Sequence, residues 1–230
     1  RNANTYGHII TIEDPIEYFH EHKKAVVTQR EVGVDTESFS IAMKNALRQR
    51  PDVILVGEIR DRDVMEQALT ISETGHLCLA TIHTNNAYQA IERIVNLFPD
   101  ELGKQVRMNL AMNLKAIVSQ RLISGVDGRL VPAVEIMINQ GLVRELILKG
   151  EISKIESVME KNRSAGMCTF DQSLLKLYED GLITEEVALM SSDKPSDMKI
   201  KVQQVKLSGR GARKGEVLSV LDTSNISLKD

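Results

Sequence analysis

The stretch RPDVILVGEIRD, residues 50–61, decides the fold. Val53-Ile54-Leu55-Val56 is a short apolar run without alternation, which suits a strand buried on both faces of a parallel sheet. Pro51 stands ahead of it and stops the preceding helical pattern. Gly57-Glu58 follows at once. In open α/β sheets ligands sit beyond the carboxyl ends of the strands, so Glu58 stands where a ligand would be met. A carboxylate there, beside bound phosphates, can hold Mg²⁺ through water or polarise an attacking water. Such a group normally works with a glycine-rich loop that cradles the phosphates, and that loop has to be found.

Working outward, GHIITI at 7–12 reads as a strand leaving into Glu13, Asp14 and Pro15, and AVVTQ at 25–29 as another. Residues 37–49 read as a helix capped by Asp35 or Thr36. Asp61 is placed to cap a helix over 62–74, which Gly75 ends. HLCLATIH, 76–83, is the next buried strand. Helices are expected over 86–97 and 101–124, the second on a long apolar stripe, and a strand over 129–138. Strands alternating with helices imply a mostly parallel α/β sheet. After 140 the pattern turns helical, over 140–149, 151–162, 169–180 and 184–191. The expected organisation is therefore an α/β core over 1–150, a small helical C-terminal domain over 151–198, and a disordered tail over 199–230, where KLSGRGARKGE is rich in Gly, Lys and Arg.

Composition narrows the function. A hydrophobic content of 42% supplies a core, and a net charge of −3 gives no basic field for a phosphate backbone. Aromatic residues are 3% of the chain with no Trp, which leaves little for base stacking. Both features disfavour a nucleic-acid motor. No apolar run approaches the ~20 residues of a membrane span. The two cysteines, Cys78 and Cys168, form no CxxC and no disulfide framework, which fits a reducing cytoplasm.

Three strands end in reactive groups: Glu13-Asp14 with Glu17 close behind, Gly57-Glu58, and His83-Thr84-Asn85. A histidine at a strand tip can hydrogen-bond a terminal phosphate and report its loss. Asp14 and Asp61 read equally well as helix caps. His76 and His83 are seven apart on an expected strand and point to opposite faces, which argues against a two-histidine metal site. Arg48 and Arg93 read as surface residues or as charge-neutralising groups for phosphoryl transfer.

TIEDPIEY at 11–18, ALRQRPDVILVGEIRD at 46–61 and ETGHLCLATIHTN at 73–85 together resemble, in order and spacing, the Asp box, Walker B and His box of the bacterial secretion and type IV pilus ATPases. The likeness continues through RIVNLFP at 93–99 and GMCTFDQSLLKLYEDGLIT at 166–184. It is strongest to the retraction or twitching-motility group. The absence of cysteine between Thr84 and Gly166 leaves no four-cysteine zinc insert of the kind assembly ATPases carry. LVREL at 142–146 stands where the family carries AIRNL, which leans the likeness toward PilU over PilT.

The resemblance implies a RecA-like P-loop NTPase core, ATP and Mg²⁺ as ligands, and a motor that couples hydrolysis to pilus retraction. Glu58 would polarise the water, and Glu13 and Glu17 would supply carboxylates near the metal. Mg²⁺ would be met through water by Glu58 and Glu13. His83, with Thr84 beside it, would contact the γ-phosphate, and His76 would support that box. Arg48 and Arg93 would neutralise charge, acting across a subunit interface. The implied partners are a homo-hexamer, a related retraction ATPase ring and a platform protein at the inner membrane, with no nucleic acid, and the place is the cytoplasm, peripheral to that membrane. An accessory subunit docked on a partner ring, and a type II secretion or pilus assembly ATPase, are the alternatives.

The phosphate loop itself is not in these residues. GxxxxGK[ST] is begun by none of the fourteen glycines; Gly103-Lys104 runs on into Gln105. In the family that loop lies just upstream of the Asp-box strand. The expectation is a C-terminal part of a larger ATPase, inactive by itself for want of the loop.

Overall fold

The computed structural model describes residues 1–208. Their packing divides into two compact units. The first takes residues 1–84, 90–114 and 147–150; the second takes 85–89, 115–146 and the chain from 151. The expected line at 150 is thus not where the packing divides the chain.

In the first unit β1 (Gly7–Glu13), β2 (Ala25–Glu31), β3 (Val53–Val56) and β4 (Leu77–Ala80) form a wholly parallel sheet in the order β2-β1-β3-β4. β1 is central because both its faces are covered: Ile10 and Ile12 are fully buried and Thr11 nearly so. Its register sets Ile12 beside Val56 and Ile9 beside Val53. α1 (Phe39–Ala46) presents Ala42, Met43 and Ala46 to the core. Its cap is Ser38, which accepts the Ile41 N–H at 3.2 Å, and not Asp35 or Thr36. Asp35 instead accepts the Glu31 N–H at 2.9 Å. α2 (Arg62–Glu73) buries Val64, Met65, Ala68, Leu69 and Ile71 along one stripe. Asp61 does cap it, accepting the Val64 N–H at 2.9 Å. Gly75, at φ +87°, turns the chain out of the helix toward β4.

α3 (Ala87–Asn96) and α4 (Gly103–Asn113) follow. The helix expected to run to 124 stops at Asn113. Residues 116–124 are a strand, β5 (Ala116–Ser124), paired antiparallel with β6 (Leu130–Ile138) in the second unit. Ile117, Val118, Leu122 and Ile123 suit either period when read alone, and β-branched residues with a partner strand close by decide for the sheet. Gly125 makes the turn: a Cβ there would meet the Arg129 carbonyl oxygen at 2.8 Å.

The rest of the second unit is helical: α5 (Leu142–Lys149) up to Leu146, α6 (Ile155–Lys161), α7 (Phe170–Glu179), α8 (Glu185–Ser191) and α9 (Pro195–Leu207). Thr169 and Gln172 form a capping box at the start of α7. Phe170, Leu174, Met198 and Val202 pack with Ile123 and Ala133 of the hairpin. Residues 199–207, expected to open the tail, therefore belong to α9, because Val202 and Val205 carry its apolar stripe into the core. The remainder of the expected tail, 209–230, lies outside the described residues.

A buried polar cluster holds this unit's first residues. Glu135, only 4% exposed, accepts the Ala87 N–H at 2.7 Å and the Phe170 N–H, the first residues of α3 and α7. Burial pushes its carboxyl above the usual range, against the pull of those two N–H groups. Arg121 lies 3.9 Å from the Phe170 ring, pairs with Asp193 at 2.8 Å and donates to the Asn85 carbonyl at 3.3 Å.

Candidate functional site

The carboxyl ends of β1, β3 and β4 lie side by side in the first unit, and each delivers polar groups there. Gly57 N–H continues the sheet by donating to the Ile12 carbonyl at 2.7 Å. A Cβ on Gly57 would stand 3.1 Å from that oxygen and 3.3 Å from the Glu13 Cα. The glycine ahead of Glu58 is therefore what lets the two acidic strand exits approach. Across the other gap, Thr81 donates its hydroxyl to the Gly57 carbonyl, and Ile59 N–H donates to the Thr81 carbonyl at 2.9 Å.

Glu58 sits in this frame with its side chain 17% exposed. One carboxylate oxygen takes a hydrogen bond from Arg60. The other lies 3.3 Å from His83 Nε2. Arg60 extends on to Asp14, 3.3 Å away. The Arg60 hydrogen bond holds Glu58 below the usual carboxylate range; partial burial opposes it, and the Arg60 and His83 charges reinforce it. Glu58 is thus an anion at neutral pH, with His83 beside it and 82% open to solvent. An ionised, partly shielded carboxylate next to an exposed imidazole can orient and polarise water and meet a phosphate.

The other expected residues fall in different places. Glu13 is at the same edge, but its carboxylate is turned to its own strand and to β2, accepting from Thr11 Oγ1 at 2.6 Å and Gln29 Nε2 at 3.0 Å. Glu17 is exposed in the connection from β1 to β2. Thr84 is half-buried just past His83. His76 is not in the cluster: its Nδ1 lies 3.0 Å from Thr74 Oγ1 at the end of α2, at the opposite edge of the sheet. Arg48 is likewise away from it, exposed in the 3-10 turn Leu47–Gln49 ahead of β3. Arg93 is exposed on α3. Neither arginine makes a side-chain ion pair among the described residues. Arg60 is the member that sequence reasoning missed. The signal was present in GEIRD, where Arg60 stands two residues past Glu58 and so on the same side of an extended chain.

The model of the type II/IV secretion system protein family matches residues 2–221. The chain is 52% identical over 204 residues to the type IV pilus ATPase PilU of Pseudomonas aeruginosa, covering 88% of this chain and 53% of PilU. It is 46% identical over 187 residues to the type IV pilus retraction ATPase PilT of the same organism, covering 81% of this chain and 54% of PilT. A crystal structure of the pilus retraction motor PilT with bound ADP superposes with a TM-score of 0.80 at 46% identity, over 86% of this chain and 56% of that one. The chain spans about half the length of the curated relatives it matches. With its RecA-like α/β sheet and three aligned strand-exit boxes, the chain belongs to the type II/IV secretion system protein family.

Proposed function

We propose that this chain is the catalytic half of an ATPase motor subunit that couples ATP hydrolysis to type IV pilus retraction. The carrying observation is the placement of Glu58 at the β3 exit, 3.3 Å from His83 at the neighbouring strand exit, in a chain 52% identical to a pilus ATPase. Glu58 orients and polarises the water that attacks the terminal phosphate, and the exposed His83 meets that phosphate. The phosphate loop is supplied from outside these 230 residues. β4 suits that arrangement: Leu79 is 46% exposed, and among the described residues β4 pairs only with β3, so the strand leading into the loop has an open edge to join.

The donors fit Mg²⁺ as a phosphate-borne ion. No cluster of three or more His, Cys, Asp or Glu is built to cage a metal among the described residues, and Mg²⁺ in nucleotide sites takes one or two carboxylates, waters and the phosphates themselves. Glu58 and Glu13 would hold it through water; when bound, it neutralises phosphate charge. Arg48 and Arg93, remote from Glu58 or unpaired, are free to serve a neighbouring subunit's nucleotide in a hexameric ring. No described helix is long and apolar enough to cross a membrane. The reading places the ring in the cytoplasm at the inner membrane, against a platform protein and a related retraction ATPase.

The test is phosphate release by the full-length protein and its Glu58→Gln variant. Loss of the base should slow turnover by about 100-fold while ATP binding persists. Wild-type turnover in the variant removes Glu58 from the mechanism.

A further inference from the structure

We infer that Arg60 is the positioning residue for Glu58, tying it to Asp14 so that one carboxylate oxygen is held and the other stays turned toward His83. The inference rests on the reading of Glu58 as the group that polarises water.

Two carboxylates from two different strand exits share one guanidinium. Arg60 Nη2 takes Glu58 Oε1, and Arg60 Nη1 lies 3.3 Å from Asp14 Oδ2. Asp14 caps no helix in this fold, so the ion pair is its one described side-chain role. The backbone between the two partners is fixed. Ile59 is 6% exposed, and its N–H is bonded to Thr81, which sends Glu58 and Arg60 to the same side. The planar fork of an arginine can satisfy two acceptors in one set geometry, which an ammonium cannot.

The bridge is poorly placed to matter for folding. The Arg60 side chain is 59% exposed and that of Asp14 38%, and ion pairs in water are worth on the order of 0–1 kcal/mol. What it does set is the rotamer of Glu58. A carboxylate free to rotate presents either oxygen, or neither, to the water it should orient. Misplacement of a catalytic group by about 1 Å costs on the order of 100-fold in rate. A positioning role therefore predicts a loss in kcat with little change in melting temperature or nucleotide affinity.

The experiment is steady-state ATP hydrolysis by the full-length protein carrying Arg60→Ala, Arg60→Lys, Asp14→Asn and the double variant Arg60→Ala/Asp14→Asn. Arg60→Ala should lower kcat by about 10- to 100-fold with KM for ATP and the melting temperature nearly unchanged. Arg60→Lys should recover part of that loss. Asp14→Asn should reproduce part of it, and the double variant should be no slower than Arg60→Ala alone, because both changes break one bridge. Glu58→Gln is measured beside them. If Glu58→Gln abolishes turnover while Arg60→Ala runs at the wild-type kcat, the positioning role is wrong and the reading of Glu58 stands. If Glu58→Gln itself turns over normally, the reading beneath it fails. A rise in KM with unchanged kcat assigns Arg60 to phosphate binding and overturns the inference.

Discussion

Replacing Glu135 by leucine tests how the second unit is held together. The carboxylate is 4% exposed and is the acceptor for two helix-starting N–H groups, those of Ala87 and Phe170. Each buried donor left without a partner costs about 1–3 kcal/mol. Two of them cost about 2–6 kcal/mol, offset in part because a buried carboxylate no longer has to be desolvated. The expected net loss is about 3 kcal/mol at neutral pH. Glutamine keeps one acceptor and should cost about 1 kcal/mol. Urea unfolding of the 230-residue chain, with amide exchange at Ala87 and Phe170, measures both. The pH dependence has a definite sign. The folded-state pKa of Glu135 is raised above its unfolded value by burial. Its contribution is complete below the unfolded pKa and is lost as pH rises through the folded one. The gap between the wild type and Glu135→Gln should therefore close as pH rises through that window. A leucine variant within about 0.5 kcal/mol of wild type, with both amides still protected, would refute the reasoning.

Three further outcomes are expected. Gly57→Ala puts a Cβ 3.1 Å from the Ile12 carbonyl oxygen and 3.3 Å from the Glu13 Cα; chemical denaturation should show a loss of about 1–3 kcal/mol, and no loss would mean the strand exits part freely. Met198→Ala empties a fully buried site on α9 and should cost about 2–5 kcal/mol by the same assay; a neutral result would detach α9 from the core. In the full-length protein, mixing Arg93→Ala subunits with Glu58→Gln subunits should restore part of the ATPase activity that each lacks alone, and the same mixing with Arg48→Ala tests the second arginine. No recovery at any ratio, for either, counts against sharing of the site between subunits.

The parallel sheet was legible because its interior strands β1 and β3 read as apolar runs, largely buried, with acidic or histidine exits marking one edge. β5 was not, because Ile117, Val118, Leu122 and Ile123 satisfy a helical stripe as well as a strand, and only the pairing with Leu130–Ile138 separates the two. α9 was hidden by its charge: Lys199, Lys201 and Lys206 dilute a stripe carried by Met198, Val202 and Val205. That Glu58 and His83 come together was legible from where their strands end. His76, expected to support His83, lies at the other end of β4 beside Thr74, because the length of the strand separates the two histidines. For Arg60 the spacing from Glu58 was visible in GEIRD, but its second partner was not, because the two carboxylates it pairs with, Asp14 and Glu58, are 44 positions apart in the chain.

The exits of β1, β3 and β4 are proposed to receive the terminal phosphate of ATP. A structure of the full-length protein with a non-hydrolysable ATP analogue tests this placement most directly. The γ-phosphate is expected within hydrogen-bonding distance of His83, about 2.6–3.2 Å, with a water held between that phosphate and Glu58. An analogue bound with Glu58 and His83 remote from its phosphates would contradict it.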